Sequence, residues 1–169
     1  MSSKTRVAII GAGIGGLTAA VAMHQRGIEV EVSEQSPQIS EIGAGVSLSP
    51  NAIKAFRSLG LGGPIESIGF ESDNQLVRAW NTGDIISKVF RKGIYEKEFG
   101  APYLSMHRAD LVDMLRRQLP DPVFHLGARC VGVETIEHGA KASFADGTEV
   151  SAGRMAGPDG HRSGGGSRW

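Results

Sequence analysis

The residues most able to do chemistry stand near the start of the chain. Gly11, Gly13 and Gly16 have the G-x-G-x-x-G spacing, and Glu34 follows about 20 residues later, as the dinucleotide fingerprint requires. In this pattern the first glycine makes a tight turn, the second lets the backbone approach a pyrophosphate, and the third lets a helix pack closely on a strand. The carboxylate of Glu34 can accept both hydroxyls of an adenosine ribose. The spacing therefore predicts dinucleotide binding.

The flanking residues predict the elements that would position these groups. Residues 7–10 are apolar and form a strand, an apolar-periodic helix follows the glycines, and Gly27 closes that helix. Residues 28–32 read as a second strand, at whose end Glu34 stands. Phosphates would then lie at the positive end of the helix, against its free N–H groups. The alternative is a glycine-rich turn that binds nothing, with Glu34 merely solvated.

Composition limits the classes of function. At 169 residues the chain suits one domain, and 40% hydrophobic with 21% charged residues is ordinary for a globular protein. Eighteen basic residues balance eighteen acidic ones, so we expect neither nucleic-acid nor membrane binding. Cys130 is the only cysteine, which rules out an internal disulfide and suits a reducing compartment. With no signal peptide or membrane span visible, we expect a cytoplasmic protein.

The rest of the chain predicts two further helices and several antiparallel strands. The last four strands are separated by turn residues that include an Asp-Gly pair, which favours a small antiparallel meander. In chain order, the pattern predicts a helix that starts at Ser49-Pro50 and ends at Gly60, strands at 75–80 and 85–90, a surface connection over 91–103, a helix introduced by 105–111, and strands at 123–126, 129–136, 140–144 and 148–150.

Few other side chains indicate chemistry. The five histidines show no metal-ligand spacing, so we expect no metal, and no Ser/His/Asp arrangement is visible. Arg108 could reach a phosphate or a ribityl chain, or it could form a surface ion pair with Asp110 or Glu98. Trp80 could stack on an aromatic ligand, although a packing role is more common. The catalytic residues stay unknown.

Four segments together carry a family pattern: residues 11–17 with Gly27 and Glu34, 43–46 with 50–52, 107–111, and 157–160 with Ser163. In order and spacing they resemble the N-terminal half of the FAD-dependent aromatic-ring hydroxylases of the salicylate hydroxylase type, which are class A flavoprotein monooxygenases. The resemblance implies an α/β fold, with a Rossmann-like FAD-binding βαβ unit, a β-meander and an inserted antiparallel sheet, in truncated form. It implies one FAD-binding domain over 1–169, with a substrate-side insertion at 67–104 and an atypical tail at 151–169.

The resemblance also implies roles for individual residues. The three fingerprint glycines would hold the pyrophosphate of FAD, and Glu34 the adenosine ribose. Arg108 matches an arginine that contacts the flavin phosphate and ribityl region, and Val131 falls where the family places main-chain contacts to adenine. Asp159 matches an aspartate that contacts the ribityl chain and influences nicotinamide cofactor binding. The candidate cofactor-binding residues are Gly11, Gly13, Ile14, Gly16, Glu34, Gln35, Arg108, Val131 and Asp159.

Three departures from the family pattern stand out. Arg154 lies in a strand that should be central and apolar, and Pro158 replaces a small residue and removes a backbone donor. The chain then ends in a glycine-rich tail where the family continues. We therefore expect a truncated or frameshifted member whose reading frame diverges after Val150, with the substrate pocket largely absent.

The function implied is the FAD-binding portion of an NAD(P)H-dependent monooxygenase acting on a phenolic or other aromatic small molecule. In such enzymes NADH or NADPH reduces the flavin, which then reacts with dioxygen and hydroxylates the ring. This portion would be incomplete or inactive alone. Two alternatives are an NAD-dependent dehydrogenase, which would lack flavin absorbance, and a non-catalytic nucleotide-binding fragment that needs a C-terminal partner.

Overall fold

The computed structural model describes residues 6–39 and 44–157. Within that part the chain divides into two compact units. We call residues 6–39 with 115–157 the sheet unit, and residues 44–114 the hairpin unit. The elements are β1 (Arg6–Ile10), α1 (Ile14–His24), β2 (Glu29–Glu34), β3 (Gly45–Leu48), α2 (Pro50–Ser58), α3 (Gly62–Ile68), β4 (Asn74–Arg78), β5 (Ile85–Phe90), α4 (Ile94–Phe99), β6 (Leu104–His107), α5 (Arg108–Arg116), a 3-10 turn (Asp121–Val123), β7 (Phe124–Leu126), β8 (Cys130–Ile136), β9 (Gly139–Phe144), β10 (Glu149–Ala152) and β11 (Arg154–Ala156).

The sheet unit is built on a four-stranded parallel sheet with the strand order β11-β1-β2-β7. β1 and β2 pair in register, and the buried centre of β1 is wholly apolar, as expected of a parallel strand covered on both faces. Helix α1 connects these strands and buries Leu17, Ala20 and Val21. This is the predicted β-α-β arrangement.

The predicted meander forms from β8, β9 and β10, which pair antiparallel in the order β10-β9-β8. Ala142 and Phe144 of β9 are buried. The strand predicted at 123–126 does not join this meander but pairs parallel with β2, through Val32 and its partner Phe124. The reason is that β7 follows helix α5, and a strand that returns after a helix can pair parallel, whereas strands joined by short turns pair antiparallel.

The position of β11 in the sheet explains how Arg154 can lie in a strand that was expected to be central and apolar. Arg154, Met155 and Ala156 pair with Val7, Ala8 and Ile9 of β1. In the part of the sheet that the structure describes, β11 is an outer strand rather than a central one. Arg154 is its first residue and is exposed, so its charge stays in contact with water. An outer strand tolerates a charged side chain that a central one would not.

The hairpin unit contains a small antiparallel sheet of β3 and β6, to which Phe70 adds a single bridge with Ser105. Residues 105–107 lead into helix α5, as the pattern predicts, but they form part of strand β6, which the pattern does not predict. Leu104 and Met106 alternate with less buried neighbours in the two-residue period of a strand, and the helix begins only at Arg108. Residues 91–103 also differ from the predicted surface connection, because they contain the six-residue helix α4, which is too short to show a helical period.

The predicted hairpin is present as β4 and β5, joined by the turn at 81–84. Every residue of β5 is exposed, and so are four of the five residues of β4. Helix α2 begins at Pro50 directly after Ser49, as predicted. None of the helices in the described ranges is both long and apolar enough to cross a membrane.

Candidate functional site

The glycine turn lies between β1 and α1 and is tied to the end of β2. The Gly11 N–H donates to the Ser33 carbonyl oxygen at 2.7 Å, and Gly11 has a φ of 102°, which a side chain would oppose. Gly16 is buried in the first turn of α1. A Cβ at Gly16 would lie 2.0 Å from the Gly11 carbonyl oxygen, so only glycine fits there without a shift of the backbone.

The start of helix α1 leaves its N–H groups open to a ligand. Gly13 is the N-cap residue, no side chain caps the helix, and its first turn holds no acidic residue. The N–H groups of residues 14–16, in the first turn, have no carbonyl partner four residues earlier in the helix, and Ile14 is half-buried. A Cβ built on Gly13 would meet no atom within 4 Å. Open space and unsatisfied N–H groups at a positive helix end suit a phosphate.

Glu34 ends β2 beside this turn, and both of its carboxylate oxygens are oriented by backbone groups. Oε2 accepts the Ala12 N–H at 2.7 Å, and Oε1 accepts the Ser36 N–H at 2.9 Å. An ionised carboxylate has about four acceptor sites, so each oxygen can still accept a hydroxyl. The carboxylate therefore lies beside the turn in a fixed orientation and can bind a diol.

The part that Ala12 plays is not visible in the sequence pattern. Its amide and the Glu34 carboxylate lie 22 residues apart, and Ala12 has no polar side chain to mark it. The contact follows from the spacing of the whole fingerprint rather than from any local pattern. It shows that Glu34 holds the turn as well as facing the space beside it.

The loop that leads into β8 lies against the residues that follow Glu34. The Ala128 N–H donates to the Glu34 carbonyl oxygen at 2.9 Å, and the Gly127 N–H donates to the Ser36 carbonyl oxygen at 3.0 Å. Gln35 lies between the two acceptors and is exposed. Two backbone hydrogen bonds thus fix the loop at 127–128 to residues 34–36, and we call these two segments the rim beside Glu34.

Val131 lies three residues beyond this rim, at an irregularity of β8. Cys130 pairs with Phe144 and Gly132 with Ser143, so Val131 is an extra residue on its strand. Such a bulge leaves the extra residue outside the ladder and often stands next to a binding site. Val131 is 61% exposed, so a ligand can reach this residue.

The other candidate residues belong elsewhere. Arg108 is the first residue of α5 in the hairpin unit, and its N–H donates to the Ala44 carbonyl oxygen at 2.9 Å. β3 pairs with β6 from Gly45 opposite His107, which brings together two of the segments that carry the family pattern. Asp159 lies outside the described residues. Among the described residues, no group of three or more His, Cys, Asp or Glu side chains could hold a metal.

Comparison with known proteins decides the family. The family described as FAD binding domain matches residues 4–164. The chain belongs to the FAD binding domain family. Two curated relatives support this: 6-hydroxynicotinate 3-monooxygenase of Pseudomonas fluorescens is 38% identical over 160 residues, and 3-amino-4-hydroxybenzoate 2-monooxygenase of Streptomyces cremeus is 36% identical over 155 residues. The alignments cover 95% and 92% of this chain, but 42% and 39% of those enzymes.

A solved structure agrees with this FAD binding domain in fold. Klebsiella pneumoniae HpxO, complexed with FAD and uric acid, superimposes with a TM-score of 0.80 at 28% identity. The match covers 92% of this chain and 39% of HpxO. The predicted α/β fold and the predicted relationship to FAD-dependent aromatic hydroxylases are confirmed. This FAD binding domain spans about two-fifths of the length of the relatives that it matches.

Proposed function

We propose that this chain is the FAD-binding portion of an NAD(P)H-dependent monooxygenase that hydroxylates a phenolic or other aromatic small molecule. The observation that carries the proposal is the uncapped start of α1, which faces open space beside the Glu34 carboxylate. This arrangement offers N–H donors for a pyrophosphate and acceptors for a ribose diol, which are the two polar groups of the FAD adenosine half.

Each candidate residue has a role in this proposal. Backbone groups of Gly11, Gly13, Ile14 and Gly16 would hold the pyrophosphate, because the start of α1 offers N–H groups and Gly13 has no side chain to block the approach to them. Glu34 and the adjacent Gln35 would hold the adenosine ribose, and the main chain of Val131 would contact adenine. Arg108 and Asp159 would contact the flavin phosphate and ribityl region. When bound, FAD supplies the electron transfer and oxygen chemistry, while the protein binds and orients it.

The substrate class follows from the relatives. Their names specify 6-hydroxynicotinate and 3-amino-4-hydroxybenzoate, and HpxO was crystallised with uric acid. All three are small rings that carry oxygen substituents, so we infer a hydroxylated aromatic or heteroaromatic substrate and NADH or NADPH as reductant. A cytoplasmic location is part of the proposal, because a single cysteine suits a reducing compartment. We further propose that residues 67–104 are a substrate-side insertion and that residues 151–169 are an atypical tail.

A pair of glycine variants tests the phosphate site. Gly13→Ala and Gly15→Ala each add one methyl group that meets no atom of the protein within 4 Å, so neither variant should disturb the fold. We expect Gly13→Ala to weaken FAD binding at least tenfold, because its methyl group would occupy the space of the pyrophosphate, while Gly15→Ala binds FAD normally. Flavin fluorescence quenching on titration gives the affinities. Equal affinities for wild type and Gly13→Ala would contradict this site, and absence of any flavin binding would contradict the proposed function.

Glu34→Ala tests the ribose site. It removes charge-assisted hydrogen bonds, so we expect FAD binding to weaken by about 1.5–3 kcal/mol. Glu29→Ala is the matched control, since it removes the same charge from an exposed position at the other end of β2. Isothermal titration with FAD compares the three proteins. If Glu34→Ala retains the wild-type affinity, Glu34 does not hold the ribose.

A further inference from the structure

A groove of about 690 Å³ lies between the start of helix α2 and helix α4, within the hairpin unit. This volume is within the range of about 300–1,000 Å³ that is usual for pockets that hold small molecules. The groove uses none of the residues that we propose to bind FAD. We define the α2–α4 groove by five of its lining residues: Lys54, Tyr95, Glu98, Phe99 and Gly100.

Arg57 joins the two helices that form the walls of the α2–α4 groove. Its guanidinium donates to the carbonyl oxygen of Gly100, the C-cap residue of α4, at 3.1 Å. It also forms an ion pair with the Glu96 carboxylate of α4 at 3.4 Å. Because Arg57 itself belongs to α2, these contacts fix the two walls to each other. The groove is therefore formed before any ligand binds.

Aromatic rings form one side of the groove. The ring centre of half-buried Tyr95 lies 5.8 Å from that of Phe99 and 5.4 Å from that of Tyr103, with the planes tilted by 36° and 45°. Packing against Tyr103 thus orients the Tyr95 ring. Phe99 is 50% exposed, so part of its ring is accessible to a ligand. Aromatic rings pair favourably in tilted and offset arrangements, so this side of the groove suits a ligand that contains an aromatic ring.

Lys54 and Glu98 bring opposite charges to the same groove. Within the described part of the chain, neither side chain has a hydrogen bond or an ion pair. A Cβ built on Gly100 would lie 3.6 Å from Lys54 Nζ, so the ammonium group reaches from α2 to the end of α4. An ammonium group binds a carboxylate, and a carboxylate accepts hydrogen bonds from hydroxyl or amino groups. Since these two charges do not pair with each other, they can bind two different groups of one ligand.

We propose that the α2–α4 groove binds a small aromatic acid that also carries a hydroxyl or amino group. Lys54 binds the carboxylate of this ligand, Glu98 accepts a hydrogen bond from its hydroxyl or amino group, and Phe99 packs on its ring. The inference goes beyond the proposed function, because the groove does not require FAD to be bound. If Lys54 only stabilised the carbonyl end of α4, its removal would change stability and not ligand affinity.

A ligand-observed NMR titration of the full 169-residue chain tests the ligand class. We expect 4-hydroxybenzoate to bind with a dissociation constant of about 1 mM or lower, and equally well with and without excess FAD. Two compounds of similar shape should each bind at least fivefold more weakly. These are 4-hydroxybenzamide, which lacks the negative charge, and 4-methylbenzoate, which lacks the hydroxyl group. Absence of saturable binding, equal affinity for the three compounds, or displacement of 4-hydroxybenzoate by FAD would each overturn the proposal.

Three methionine variants test the residues. Lys54→Met should weaken binding of 4-hydroxybenzoate at least tenfold and remove its advantage over 4-hydroxybenzamide. Glu98→Met should remove its advantage over 4-methylbenzoate. Lys97→Met, at an exposed position of α4 outside the groove, is the matched control and should bind like wild type.

Far-ultraviolet circular dichroism and FAD titration accompany these measurements. A wild-type spectrum shows that each variant is folded, and we expect all three variants to have the wild-type affinity for FAD. Wild-type affinity of Lys54→Met for 4-hydroxybenzoate, or an equal loss in Lys97→Met, would overturn the groove as the site. If no protein binds FAD but 4-hydroxybenzoate binding follows the expected pattern, the proposed function fails and the inference about the groove holds.

Discussion

The β1–α1–β2 element buries its apolar side chains, whereas the β4–β5 hairpin exposes them. Ile9 and Leu17 of the first element are at most 1% exposed, whereas Ile86 and Phe90 of the hairpin are 69% and 61% exposed. Both regions have regular secondary structure and well-formed turns. The difference teaches that the first element completes its own core within the described chain, and that regular strands alone do not make a complete structural unit.

The strongest test of this comparison truncates one isoleucine in each region. Ile9→Ala removes a side chain that is 1% exposed, and we expect it to lower the free energy of unfolding by about 2–5 kcal/mol. Ile86→Ala removes a side chain that is 69% exposed, and we expect a change within about 0.5 kcal/mol. Urea unfolding followed by far-ultraviolet circular dichroism gives both values. A loss above 2 kcal/mol for Ile86→Ala would mean that the isolated chain already covers the hairpin.

A second test concerns the tightest contact of the β1–α1–β2 element. The methyl group of Gly16→Ala would lie 2.0 Å from the Gly11 carbonyl oxygen, so the helix must move and we expect a loss of about 1–3 kcal/mol in unfolding free energy. Gly15→Ala, one position earlier, has no atom within 4 Å and should stabilise helix α1 by up to about 1 kcal/mol. Opposite signs for neighbouring positions would be hard to explain by propensity alone. If both variants are stabilised, the helix does not pack on the turn as described.

The same two regions show how far sequence reasoning reaches. β1, α1 and β2 could be predicted because each signal is local: an apolar run, spaced glycines, a helical period and an acid at the strand end. The β4–β5 hairpin could also be predicted from its turn residues and strand composition. The exposure of Ile86 could not, because a side chain's burial depends on chain that is distant or absent.

The misses have a common physical cause. The partner of β7 cannot be predicted locally, because composition indicates a strand but does not specify which strand it pairs with. Residues 105–107 read as the approach to a helix, since three residues are too few to display the strand period. The Ala12 amide bond to Glu34 joins residues 22 apart, so no window of local sequence contains it. Local patterns thus predict elements, and the contacts between elements decide the details of the site.

The smallest expected effect concerns the turn between β9 and β10. Polar groups of this turn are hydrogen-bonded to one another, whereas the apolar side chains of the β4–β5 hairpin are exposed. The hydroxyl and N–H of Thr148 donate to the Asp146 carboxylate at 2.7 and 2.9 Å, and these bonds lower the pKa of Asp146. A pKa lowered by folding gives stability that is present above the unfolded pKa and is lost as the pH falls through the folded value. Because the turn is fully exposed to solvent, the effect should be small.

Asp146→Asn should therefore lower the urea midpoint slightly at pH 6, and this deficit should be smaller at pH 2, because the wild-type carboxylate takes up a proton as the pH falls through its folded pKa. Glu137→Gln, which removes a charge from the turn between β8 and β9 where the side chain is 90% exposed, is the matched control and should shift neither midpoint. A deficit of Asp146→Asn that persists undiminished at pH 2 would assign the effect to turn geometry rather than to the charge. A deficit that is smaller at pH 2 than at pH 6 would show that the Asp146 charge and its bonds to Thr148 stabilise this turn. The turn would then differ from the β4–β5 hairpin, whose apolar side chains are exposed in the described chain.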